Sequence, residues 1–219
     1  MDTIDNKTYP DYIPMAYENK SQILKRYYAW LAHQIVMLNG EHVQKALDMI
    51  EDAYMNHKKM YVIWNGGSWA TATHFGADMT KTIFGKNPLP GIEHHPFDVE
   101  CIGDNIPTMT ATGNDLPSGF DHIFSLPLQA KAKEWELLLV ITGSWNSGNI
   151  IKALEVAKAK GMKTLGFLGF DGGKAKNMLD HSVVIESDNY GHIEDMHSTL
   201  MHAITDYFKK TVGEKYNQK

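Results

Sequence analysis

Apolar positions along the chain alternate between a helical period and short unbroken runs. Over 16–39, Ile23, Leu24, Tyr27, Trp30, Leu31, Ile35 and Leu38 recur near three- and four-residue spacing, which predicts an amphipathic helix. Asn39 and Gly40 predict its end. A second helix is predicted over 41–57, with Val43, Ala46, Leu47, Ile50 and Tyr54 on one face. The apolar run at 61–64 predicts a buried strand, and a helical pattern follows from Ser68. Further strands are predicted at 97–102, 137–141, 163–168 and 182–186. Between and after them, helical patterns cover 106–112, 119–133, 149–160, 174–179 and 193–212. The run Leu-Leu-Leu-Val-Ile at 137–141 is apolar throughout, as a parallel strand covered on both faces should be. Strands alternating with helices at these spacings imply βαβ units, hence a parallel sheet with helices on both faces.

Residues 1–15 contain prolines and no periodicity, and read as an arm; 16–219 read as a single domain. A chain of 219 residues with 43% apolar and 21% charged residues has room for a sizeable core and the composition of a soluble globular protein. The net charge of −5, without a basic block, argues against a nucleic-acid footprint. No apolar run reaches membrane-spanning length, and the polar, acidic start is unlike a signal peptide. The single Cys101 excludes an intramolecular disulfide, suits a reducing compartment and reads as a small buried hydrophobe. A cytoplasmic protein is therefore expected.

Ligands of open parallel sheets sit beyond the strand C-termini. Three polar segments fall there. Asn65, Gly66, Gly67 and Ser68 form a turn between strand and helix, where backbone N–H groups and the helix N-terminus favour an anion. Gly113, Asn114, Asp115, Leu116 and Pro117 carry turn chemistry. Thr142, Gly143, Ser144 and Ser147 place three hydroxyls after a buried strand, able to solvate phosphate oxygens without a cation. His74 and Asp78, four residues apart, share a helix face, as do Glu194 and His202 on the last helix. If these two helices meet, the four side chains form an N₂O₂ set in the style of zinc.

These segments resemble the SIS (sugar isomerase) domain family from about residue 60 to 212, most closely its phosphoheptose isomerase branch. The resemblance rests on Asn-Gly-Gly-Ser at 65–68, His-Phe-x-x-Asp at 74–78, Gly-Asn-Asp at 113–115, the hydroxyl loop at 142–147, Asp-Gly-Gly-Lys at 171–174, Ile-Glu-Asp-Met-His at 193–197, and His202. It implies a flavodoxin-like three-layer αβα sandwich with a five-stranded parallel sheet and two leading helices. It also implies a homotetramer with active sites between subunits. By the resemblance, Asn65, Gly66, Gly67, Ser68, Asn114, Asp115, Thr142, Gly143, Ser144, Ser147 and Glu194 bind a phosphorylated sugar. His74, Asp78, Glu194 and His202 bind zinc, with Asp78 as base and His202 as acid in an aldose–ketose isomerisation through a cis-enediol. The chain departs from the family where Asp78 replaces a Glu, Glu194 a Gln and Trp145 a Gly; Trp69 follows the glycine turn, and Lys81 and Thr82 stand where an arginine is usual. The alternative function is that of non-catalytic SIS relatives, tetramers that bind phosphosugars or protein partners such as replication initiators.

Overall fold

In a computed structural model that describes residues 19–82, 96–144 and 146–213, the predicted arm at 1–15, most of the loop at 84–96 and Trp145 lie outside the described residues. The chain begins with α1 (Lys20–Met37) and α2 (Gly40–Met55), and continues β1 (Met60–Trp64), α3 (Ser68–Ala77), β2 (Val99–Cys101), α4 (Ile106–Asp115), α5 (Ser125–Lys131), β3 (Leu137–Thr142), α6 (Gly148–Ala159), β4 (Lys163–Gly169), α7 (Gly173–Lys176), β5 (His181–Ile185) and α8 (Tyr190–Phe208). All five strands are parallel, in the order β2-β1-β3-β4-β5. This is the flavodoxin-like order, whose reversal lies between β1 and β3. Among the described residues no helix is long and apolar enough to cross a membrane.

The sheet separates two cores because side chains alternate across it. Met60, Val62, Leu139, Ile141, Leu165 and Phe167 face α2, α3 and α8, through Ile50, Phe75, Leu200 and Ile204. Tyr61, Ile63, Leu138 and Val140 face α5 and α6, through Leu128, Ile150 and Leu154. Central β3 is buried at every position, which explains its unbroken apolar run. Helix α1 stands outside these layers and leans on α8. Trp30 stacks on His192 at 4.0 Å between ring centroids, and the Tyr27 hydroxyl donates to Asp195 Oδ2 at 2.6 Å.

Three predicted boundaries shift for identifiable reasons. Asn39 opens α2 rather than closing α1: its Oδ1 accepts from the N–H groups of Glu41 and His42 at 3.0 and 3.2 Å, leaving Gly40 as the first helical residue. The expected turn at 113–117 is the last turn of α4, which runs through Asp115. Leu116 is extended because Pro117 disfavours helical backbone in the residue before it. The single helix expected over 119–133 is split into a 3₁₀ turn (Gly119–His122) and α5. Ser118 has a left-handed φ of 51°, and Pro127, lacking an N–H, fits only in the first turn of a helix beginning at Ser125.

Candidate active site

The first loop leaves β1 with Gly66 at φ +55°, a left-handed conformation that favours glycine. Gly67 is required for a different reason. A Cβ there would lie 2.6 and 2.7 Å from the Glu194 carboxylate oxygens, so the start of α3 is met by one of the protein's own anions. The N–H groups of Ser68, Trp69 and Ala70 turn back onto the carbonyls of Asn65, Gly66 and Gly67 at 3.1–3.2 Å. Ser68 is buried, so its hydroxyl does not line an open cradle. The Asn65 side chain is also engaged. Its Nδ2 donates to Asn149 Oδ1 at 3.0 Å, and Asn149 Nδ2 donates to Asn65 Oδ1 at 2.8 Å.

The second loop closes on itself. The Asn146 N–H donates to the Ser144 carbonyl at 2.7 Å, the Ser147 hydroxyl donates to the same carbonyl at 3.3 Å, and the Ser144 and Ser147 hydroxyls lie 3.2 Å apart. Ser147 occupies the N-cap of α6. Thr142 is fully buried, and its hydroxyl has no partner among the described residues. The ring of Tyr190 lies over Gly143, where a Cβ would meet its Cδ1 at 2.9 Å. Asn114 and Asp115 pair with each other at 2.8 Å, exposed at the end of α4.

The third group lies where α3 and α8 run side by side. Gly67 meets Glu194, the hydroxyls of Thr71 and Ser198 stand 3.1 Å apart, and His74 packs edge-on against His202 with ring centroids 5.1 Å apart. Each step is one helical turn on both helices, so they run parallel and in register. Asp78 follows at the point where α3 widens into a π-type turn (Asp78–Thr82), a distortion frequent at functional sites. Its Oδ2 lies 3.6 Å from His74 Nε2. Donor atoms of His74, Asp78 and His202 all lie within 4.8 Å of one another. Together with Thr71, Phe75, Ser198 and Met201 they line a cleft of about 20 Å³, room for one water-sized occupant. Two imidazoles and a carboxylate are a donor set that suits zinc. Glu194 stands outside this trio: it precedes His202 by two turns, about 12 Å along the helix axis, and its carboxylate lies at Gly67.

Three of the residues that build this arrangement carried no prior expectation. Thr71 and Ser198 fall at helical spacing before His74 and His202, a signal available in the sequence. Asn149 is a lone amide on the otherwise apolar α6 face formed by Ile150, Ala153, Leu154 and Ala157. His197, by contrast, is fully buried and structural. Its Nε2 lies 3.2 Å from the Leu168 carbonyl, to which it donates, and burial pushes its pKa down to about 4. Cys101 donates to the Ala72 carbonyl at 3.2 Å, and burial pushes its thiol up to about 12.

Comparison with known proteins identifies the family and the fold. The SIS domain family profile matches residues 25–169. A phosphoheptose isomerase of Aliarcobacter butzleri is 35% identical over 193 residues, covering 84% of this chain and 94% of its own. The structure of a phosphoheptose isomerase from Francisella tularensis superposes with a TM-score of 0.77 at 26% identity, covering 89% of this chain and all of that one. The phosphoheptose isomerase of Neisseria gonorrhoeae gives the same TM-score at 27% identity. The chain belongs to the SIS domain family, in its phosphoheptose isomerase branch.

Proposed function

We propose that the protein interconverts aldose and ketose forms of a phosphorylated sugar of the sedoheptulose 7-phosphate type. The observation that carries the proposal is the meeting of His74, Asp78 and His202 in one cleft between α3 and α8. Curated relatives named phosphoheptose isomerase favour this reading over a non-catalytic, protein-binding one.

The reaction moves one proton between neighbouring carbons and needs no external oxidant. Asp78 takes the proton from the carbon beside the carbonyl and returns it to the adjacent carbon. His202 donates a proton to the oxygen on which charge develops and recovers one as the new carbonyl forms. The intermediate between these transfers is a cis-enediol. His74 Nε2 lies 3.6 Å from Asp78 Oδ2, so the two face the same point in the cleft. Zinc held by His74, Asp78 and His202 would supply polarisation of the carbonyl oxygen. The phosphate goes to the loop of Ser144 and Ser147, so that remote binding holds the open-chain sugar against the acid and base. Glu194, at Gly67, faces the sugar hydroxyls rather than the phosphate, because like charges repel.

Helix α1 exposes Leu24, Tyr28 and Ile35 on one face, suited to burial against other subunits. It supports self-association, and the assembly we propose is a homotetramer with sites near subunit boundaries. The test is turnover of sedoheptulose 7-phosphate, with zinc added and with zinc chelated, together with the mass of the assembly in solution. Asp78→Asn should abolish turnover while leaving phosphosugar binding measurable. A wild-type protein that neither turns over nor binds phosphosugars refutes the isomerase reading.

A further inference from the structure

Asn149 is fully buried, yet it carries an amide. Both polar ends are satisfied within one compact arrangement. Its Oδ1 accepts from Asn65 Nδ2 and from the Ile150 N–H at 3.0 and 2.9 Å, and its Nδ2 donates to Asn65 Oδ1 at 2.8 Å. A buried amide is costly unless paired, and an apolar pair of similar shape serves stability about equally well. What distinguishes the amide pair is direction: it fixes two chain segments relative to each other.

Those segments are the two loops of the site. The ladder between β1 and β3 ends at Trp64 and Ile141. Beyond it, one chain turns into α3 on one face of the sheet and the other into α6 on the opposite face. The loops therefore diverge at the reversal of strand order, where a ligand bridging them needs a set separation. The Asn65–Asn149 pair crosses that gap.

We infer that Asn149 is a positioning residue for ligand binding, which staples the glycine turn to the start of α6 and so sets the spacing at which one phosphosugar reaches both loops. The inference rests on the phosphosugar isomerase reading of the site.

The test is a double-mutant cycle on the full-length protein with Asn65→Ala, Asn149→Ala and both together, plus Asn149→Ser. KM and kcat for sedoheptulose 7-phosphate, inhibition by inorganic phosphate and the thermal midpoint are read for each. Each alanine variant should raise KM and the phosphate inhibition constant by about tenfold with kcat changed less than about threefold. The double variant should be no worse than either single one. Asn149→Ser, which keeps a small hydrogen-bonding group beside Asn65, should recover part of the loss. A folded Asn149→Ala protein with unchanged KM, an additive double variant, or a fall in kcat alone overturns the inference. So does failure of both Asn149 variants to fold, because Asn149 then serves folding only. If the wild type shows no turnover, the isomerase reading fails separately. Calorimetric binding of inorganic phosphate to wild type and Asn149→Ala then decides the staple, and equal affinity, or no binding by the wild type, refutes it.

Discussion

His197 makes the stability of this protein depend on pH in a way that can be worked out. Its ring is fully buried in α8, Nε2–H donates to the Leu168 carbonyl, and Nδ1 has no partner among the described residues. A second proton would have to sit on Nδ1, away from water and without an acceptor. Burial accordingly lowers its pKa from 6.5 to about 4. The unfolded chain takes up a proton near 6.5, whereas the folded protein resists until about 4. The stabilisation is complete above the unfolded value and is lost as pH falls from 6.5 towards 4. At about 1.4 kcal/mol per tenfold step, the whole window is worth roughly 3 kcal/mol. Roughly 2 kcal/mol of that falls between pH 7 and pH 5. The assay is urea unfolding at those two pH values for wild type and His197→Gln, whose amide keeps a donor for Leu168 but does not titrate. Carboxylates and the other histidines are common to both proteins and cancel in the comparison. Wild type should lose roughly 2 kcal/mol more than the variant on acidification. Equal losses would show that His197 is either hydrated or already charged in the folded protein, and the burial argument would fail.

Trp30→Ala removes a buried ring stacked on His192, and should cost about 3–5 kcal/mol by chemical denaturation. Gly67→Ala places a methyl against the Glu194 carboxylate, so the carboxylate or the turn must move. It should lower kcat/KM at least about tenfold, with a smaller proportionate effect on the thermal midpoint. Cys101 should react with a disulfide reagent far more slowly in the native protein than in urea, because its thiol is pushed up to about 12 and packed against Ala72. Rapid labelling of the native protein would contradict that.

The sheet was legible because its central strands are buried on both sides, which leaves long apolar runs such as that of β3, whereas edge strand β2 is only half-buried. Helix limits were harder where one residue had two possible uses. Asn39 can end one helix or begin the next, and only the hydrogen bonds from Glu41 and His42 decide it. At the site, helical spacing brought out His74 with Asp78 and Glu194 with His202, but not how the two helices meet. Their parallel register separates Glu194 from the trio, a tertiary fact that spacing along one helix does not contain. The anion reading of the first loop was incomplete for a similar reason: the buried Ser68 and the Glu194 carboxylate at Gly67 depend on packing. Asn149 had a faint signal, a single amide on an apolar face, and its meaning required its partner from another loop.

The matched turns of α3 and α8 also bear on how this sequence can change. Gly67 with Glu194, Thr71 with Ser198 and His74 with His202 are rungs between two rails of equal pitch. Removing one residue from either rail between these rungs would rotate everything beyond it by about 100° and shift it about 1.5 Å. The histidines would then no longer face each other, although both would still be present. Length between Gly67 and Asp78, and between Glu194 and His202, is thus held more strictly than the identity of most residues in between. Insertions and deletions among active descendants should collect outside these two intervals.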